Sequence, residues 1–141
     1  MKTHLMLHHS ATEDSASVSW QAIRRFHVEH NGWRAIGYHL GIERVNGEYE
    51  ALLGRPFHEH AAAAYQQGMN RKAIHVCFVG NFDAAAPDPL MLDFARPHLV
   101  ALLEAYDIPI ENVIGHSTVA PKTCPGRLFP LDEYRRSLIG A

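Results

Sequence analysis

Apolar and polar positions alternate along the chain with two different periods. Residues 4–11, HLMLHHSA, are rich in apolar side chains and end in small polar ones, which predicts a strand running into a loop. TEDSAS follows as a linker offering several helix N-caps. From Val18 to His30 the apolar residues Trp20, Ile23 and Phe26 recur at helical spacing, and Gly32 is placed to stop that helix. Residues 36–53, IGYHLGIERVNGEYEALL, hold two β-like runs around Asn46-Gly47, a strong two-residue turn signal, and predict a hairpin. GRPFHEHAAAAYQQGMN is a long connection with a helical turn expected at its alanines. AIHVCFVGNF is an apolar run that reads as a buried central strand, and DAAAPDP as a loop.

Leu90 to Tyr106 has a helical pattern in which Pro97 is expected to start, kink or break the helix. ENVIGHS reads as a short strand. Leu131, Tyr134 and Leu138 mark a short amphipathic C-terminal helix. Strands and helices alternate irregularly and include a hairpin. The expected fold class is therefore mixed α/β, a single central mixed β-sheet flanked by about three helices. No repeat, low-complexity tract or second domain interrupts residues 1–141, which read as one domain.

Composition adds exclusions. The formal charge of −2 leaves no basic footprint for nucleic acid. No apolar run approaches the ~20 residues needed to cross a bilayer, so no membrane partner is expected. MKTHLMLHHS has one lysine and an apolar patch broken by His4, His8 and His9, a poor signal peptide and a better first strand. Cytoplasmic synthesis without a cleaved signal is the expectation. Of the two cysteines, Cys77 lies in the apolar run IHVCFVG, where a free thiol packs well, and Cys124 lies in a polar loop, so a disulfide between them is not expected.

That loop is GHSTVAPKTCPG, residues 115–126. It places a histidine, a lysine and a cysteine within nine positions and stiffens them with two prolines. His116 follows a predicted strand. Pro121 fixes φ midway, and Pro125 biases Cys124 toward an extended backbone. A loop held in this way can present two zinc ligands, imidazole nitrogen and thiolate sulfur, at little entropic cost. A catalytic zinc site needs a third ligand and an open fourth position. The candidates are His8 and His9 at the end of the first strand. Side chains alternate there, so only one of them can face a given site. The zinc-protease helix signature H-E-x-x-H is absent, and HEH at 58–60 does not supply it.

The blocks LHHSAT, RRFHVEHNGWRAIGYHLGIER, GRPFHEHAAAAYQQGMN, IHVCFVGNF and VIGHSTVAPKTCPG, in this order, resemble the zinc-dependent N-acetylmuramoyl-L-alanine amidases of the type-2 amidase and peptidoglycan-recognition-protein superfamily. The likeness is strongest to its short phage lysozymes and spans about His4 to Pro130. The resemblance implies one Zn²⁺ per chain, held by His8, His116 and Cys124, with His9 the variable neighbour. It places the family's active-site tyrosine on Tyr38 and its catalytic lysine on Lys122. His60 takes the place of a substrate-groove histidine, although His58-Glu59 precede it here, and Asn70 takes the place of a turn asparagine.

The implied reaction is hydrolysis of the amide between N-acetylmuramic acid and L-alanine of the peptidoglycan stem peptide. Zinc activates a water, Lys122 meets the oxyanion, and Tyr38 donates a hydrogen bond or orients the water. Two neutral histidines and one thiolate give the site a net charge of +1, as in His₂Glu zinc peptidases. No carboxylate in the matched blocks offers itself as a general base. The expected partner is peptidoglycan or a muropeptide, and a monomer is favoured. Similar phage lysozymes also bind and inhibit RNA polymerase, a partner these residues neither require nor exclude. A phage or prophage endolysin acting on the wall after release is the leading role. The alternatives are a non-catalytic peptidoglycan-binding module, which typically lacks the cysteine ligand, a cytoplasmic muropeptide-recycling amidase, and a cysteine hydrolase built on Cys124 and His116.

Overall fold

The structure, a computed structural model, describes residues 1–12 and 19–139. Most of the TEDSAS linker and the expected helix start at Val18 lie outside the described residues. Five strands, β1 (His4–His9), β2 (Leu40–Val45), β3 (Glu48–Leu53), β4 (Ala73–Phe78) and β5 (Val113–Gly115), form one mixed sheet in the order β3-β2-β4-β1-β5. β1 runs parallel to β4 and β5, β2 runs parallel to β4, and β3 is antiparallel to β2. Four α-helices complete the described residues: α1 (Ser19–Arg25), α2 (Met69–Lys72), α3 (Pro89–Ala105) and α4 (Leu131–Ser137). The mixed sheet with helices packed on it is the expected fold class.

Alternation along the strands divides the sheet into two unlike faces. Leu5, Leu7, Ile42, Ile74, Val76 and Phe78 point one way, into a core completed by Met91, Ala95, Leu99 and Leu103 of α3 and by Tyr134 and Leu138. The α3 residues recur every four positions, so a single stripe of that helix covers the sheet. The opposite face is mixed. Met6 packs there with Ala64, Met69 and Ala73, and Cys77 packs with Trp20, Ile36 and Val79. Buried His8, His75 and Glu43 share it. Gly41 admits Trp20 flat against β2, because a Cβ there would sit 2.3 Å from the indole.

The turn signals hold. Asn46 and Gly47 both have positive φ, 52° and 84°, as a two-residue hairpin turn requires. Beyond α1 the chain winds into a π-turn over Phe26–His30, and Gly32 at φ 73° ends it. One expectation is narrowed and another corrected. Pro97 neither starts nor breaks a helix: α3 is continuous from Pro89 to Ala105, with Asp88 capping Leu90 N–H and Pro97 on the exposed side. The apolar stripe packs on both sides of Pro97, which offsets a cost of about 3 kcal/mol for an interior proline.

The alanines at 61–64 form no helical turn, and the turn comes later, at Gln66–Lys72. Their N–H groups bond elsewhere. Ala61 donates to the Asn70 carbonyl, Ala62 to the Gly37 carbonyl, and Ala63 and Ala64 both to Asn70 Oδ1 at 2.8 Å. Asn70 thus has the turn role expected of it.

Candidate metal centre

Parallel strands β1 and β5 end side by side, and the crevice beyond their carboxyl ends is where open α/β sheets bind ligands. His8 lies at the end of β1, and His116 is the first residue after β5. The loop then returns Cys124 to them. Ser117 N–H donates to the Cys124 carbonyl at 2.8 Å, and Lys122 N–H donates to the Ala120 carbonyl at 2.8 Å. Gly115 makes the return possible, since a Cβ there would lie 2.7 Å from Pro125 Cδ. The Cys124-Pro125 peptide is cis.

The loop is braced from outside by Asp83. That carboxylate accepts from Thr123 Oγ1 and from Arg127 N–H, each at 2.8 Å. These bonds, with the Arg127 amide first, hold its pKa below the ordinary carboxylate value.

One potential ligand atom from each of His8, His116 and Cys124 falls within 4.8 Å of the others. His8 Nδ1 lies 3.5 Å from Cys124 Sγ. Zinc bonds of about 2.3 Å to sulfur and about 2.0 Å to nitrogen, opened to a tetrahedral angle, put two donors roughly 3.5 Å apart. His116 Nε2 is buried and has no hydrogen-bond partner among the described residues. Buried polar atoms are rarely left so. The donor set and the orphaned nitrogen together fit a zinc ion.

The electrostatics fit the same ion. Burial lowers the pKa of His8 well below the ordinary value, and the neighbouring histidines and Lys122 add to this. His116 is lowered by burial and by Lys122. Both are therefore neutral imidazoles at pH 7, ready to ligate. Burial pushes the Cys124 thiol up to about 11, opposed by the His9 backbone N–H at 3.4 Å and by Lys122. A coordinated cation reverses that balance and deprotonates the thiol.

His9 points away from the donors. Its Nδ1 accepts Phe82 N–H at 3.1 Å, and its ring lies 6.0 Å from that of Phe82. Tyr38 comes from the segment before β2, and its ring lies 5.3 Å from His8. Burial, with Cys77 and Cys124 nearby, raises the Tyr38 phenol well above its ordinary pKa, so it stays a hydrogen-bond donor. Lys122 is exposed on the rim.

Tyr38 and Lys122 line a cavity of about 330 Å³ with the three candidate ligands. It shares Tyr38 with a cavity of about 560 Å³ beside Ile23, Phe26 and His27. It shares His116 and Lys122 with one of about 240 Å³ beside Trp33, Gln66 and Asn70. Together these three cavities, which share walls, outline a candidate groove beside the donors.

The structure does not bring His60 to this groove. His60 is exposed, and with His58, Met1, Lys2, Arg71 and Tyr106 it lines a separate depression, by the residues that lead into β1. The donors lie at the other end of that strand. Two residues close to the donors carried no assigned role in the sequence. Asp83 holds the cysteine loop. His75 on β4 lies 2.8 Å from His8 Nε2, through its own Nδ1.

A strand-end His, a post-strand His and a loop Cys brought together beside an open cavity could hold a metal ion. Residues 2–127 match the N-acetylmuramoyl-L-alanine amidase family, and the chain belongs to that family. It is 36% identical over 126 residues to the endolysin of Escherichia phage T7, covering 86% of this chain and 78% of that protein. Its fold matches the N-acetylmuramoyl-L-alanine amidase LysC from Clostridium intestinale with a TM-score of 0.82 and 25% identity, over 97% of this chain and 85% of that one. It also matches a Drosophila PGRP-LB variant in complex with tracheal cytotoxin, with a TM-score of 0.78 and 25% identity, over 94% and 79%. The enzyme class is that of a peptidoglycan amidase, as the sequence blocks imply.

Proposed function

We propose that the chain is a single zinc-dependent amidase domain that cuts the bond between N-acetylmuramic acid and L-alanine of the stem peptide, in the role of a phage or prophage endolysin. The observation that carries the reading is that one donor atom from each of His8, His116 and Cys124 lies within 4.8 Å of the others beside an open cavity, with His8 Nδ1 3.5 Å from Cys124 Sγ. His8, His116 and Cys124 would hold one zinc, leaving a fourth position toward the cavity. When bound, zinc supplies a Lewis acid for the amide carbonyl and lowers the pKa of water to about 7.

The chain's own groups do the rest. Lys122 reaches over the rim of the cavity and meets the negative charge that develops on the amide oxygen. Tyr38, protonated and beside His8, donates a hydrogen bond to the reacting oxygen or orients the attacking water. The groove on both sides of the donors leaves room for the sugar and the peptide flanking the cut bond. The likeness to a protein solved with tracheal cytotoxin, and to an endolysin, supports peptidoglycan or a muropeptide as the substrate. No described helix is long and apolar enough to cross a bilayer.

Zinc titration of the metal-free protein, the Cys124→Ala variant and the His9→Ala variant tests the ligand set. Wild type and His9→Ala should each take one equivalent, and Cys124→Ala should lose most of it. A full equivalent in Cys124→Ala would sink the assignment. The cysteine-hydrolase alternative predicts wild-type activity in the presence of a chelator.

A further inference from the structure

We propose that His75 is the positioning residue of the metal centre: it fixes His8 with Nδ1 bare and Nε2 protonated, so that His8 can ligate through Nδ1 alone. This rests on the metal-ligand reading above.

The placement follows from strand register. In the parallel pairing of β1 with β4, His8 stands opposite Cys77. His75 lies two residues earlier on β4, so it occupies the same face, diagonal to His8. Both side chains are fully or almost fully buried, at 0% and 1% exposed. Water therefore cannot stand in for a missing partner.

The polarity of the bonds is then forced. His75 Nε2 lies 2.7 Å from the Met69 carbonyl, which can only accept. His75 therefore carries its proton on Nε2, and its Nδ1 is a lone pair. That lone pair faces His8 Nε2 at 2.8 Å, so His8 must donate from Nε2. The remaining His8 nitrogen, Nδ1, is left bare, and it is the atom 3.5 Å from Cys124 Sγ.

The neighbouring histidine keeps His75 in place. The His75 backbone N–H donates to His39 Nδ1 at 2.9 Å, His39 N–H donates to the His75 carbonyl at 3.0 Å, and His39 Nε2 donates to the Glu59 carbonyl at 2.8 Å. Two backbone carbonyls thus set the protons of three buried rings, ending at the metal ligand. A ligating histidine whose other nitrogen is held has its tautomer and ring orientation set before the ion arrives.

Two measurements test this. Long-range ¹H–¹⁵N NMR of the metal-free wild type should show His8 as the Nε2–H tautomer. A His8 found as Nδ1–H would overturn the proposal without any variant being made. Zinc affinity by chelator competition should fall about 10–100-fold in His75→Leu, which keeps the bulk and removes the acceptor. His75→Asn, whose Oδ1 can replace Nδ1 as acceptor, should recover most of it. Equal affinity in His75→Leu and wild type would reduce His75 to a space-filler and overturn the idea. A wild type that binds zinc through His8 Nδ1 yet releases no stem peptide supports the positioning role while contradicting the amidase reading.

Discussion

The two faces of the sheet are built from the same strands and obey opposite rules. The face under α3 and α4 is hydrocarbon and aromatic: Leu5, Leu7, Ile74, Val76 and Phe78 meet Leu99 and Tyr134. The other face buries His8, His75 and Glu43 among Met6, Cys77 and Trp20. The first face stabilises, because each buried Leu or Phe contributes roughly 1.5–3 kcal/mol. The second spends part of that on polar groups whose hydrogen bonds must all be met. Stability and chemistry are thus separated across a sheet one residue thick, and variants on the two faces should fail in different ways.

The largest effect should come from the donors. His8→Ala or Cys124→Ala removes one of three ligands, the minimum for a catalytic zinc site, and should abolish muropeptide cleavage together with most bound metal. Elemental analysis beside a cleavage assay reads both. On the opposite face, Leu99→Ala should cost about 2–5 kcal/mol in urea unfolding and still bind one zinc at temperatures where it is folded. If Leu99→Ala loses metal affinity while folded, the faces are coupled and the separation is wrong.

Smaller and more selective effects belong to the rim. Lys122→Ala should retain zinc and lose on the order of 10²–10³ in kcat with KM little changed, as removal of an oxyanion donor does. Tyr38→Phe deletes one hydroxyl and should lose as much or less. Unchanged kcat in fully loaded Lys122→Ala would return that residue to the solvated surface.

The smallest effect is on pH dependence. Burial holds His39 at about 4, with Lys2 and Arg55 acting in the same direction and the Glu59 carbonyl bond and carboxylate opposing them. In the unfolded chain His39 titrates near 6.5, so between pH 6.5 and 4 the unfolded state binds more protons. Its contribution is a stability that is complete above pH 6.5 and falls on acidification, by up to about 1.4 kcal/mol per pH unit. In the metal-free protein, His39→Asn should make the urea midpoint fall less steeply between pH 6.5 and 4.5. An unchanged slope would place the acid sensitivity elsewhere.

Much of this was legible in the residues, for local reasons. Period-two alternation says that His8 and His9 face opposite ways, and the structure turns His9 onto Phe82. The Asn46-Gly47 turn and the stiff loop from His116 to Cys124 are likewise local signals. What escaped depends on register or on distant acceptors. His75 meets His8 only because β4 lies beside β1 in one register, 67 residues away in sequence. The alanines at 61–64 are held out of a helix by Asn70, and α3 runs through Pro97 because packing overrides propensity. His60, placed in a substrate groove by the resemblance alone, lies by a depression separate from the donor cavity.

The most direct test of the central claim is mass spectrometry of purified peptidoglycan fragments after digestion, with the protein zinc-loaded and with it stripped by chelator. The account predicts intact stem peptides with a free L-alanine amino terminus and intact glycan from the loaded protein, none from the stripped protein, and recovery when zinc is returned. Cut glycan chains, peptides cleaved within the stem, or equal release with and without metal would contradict it.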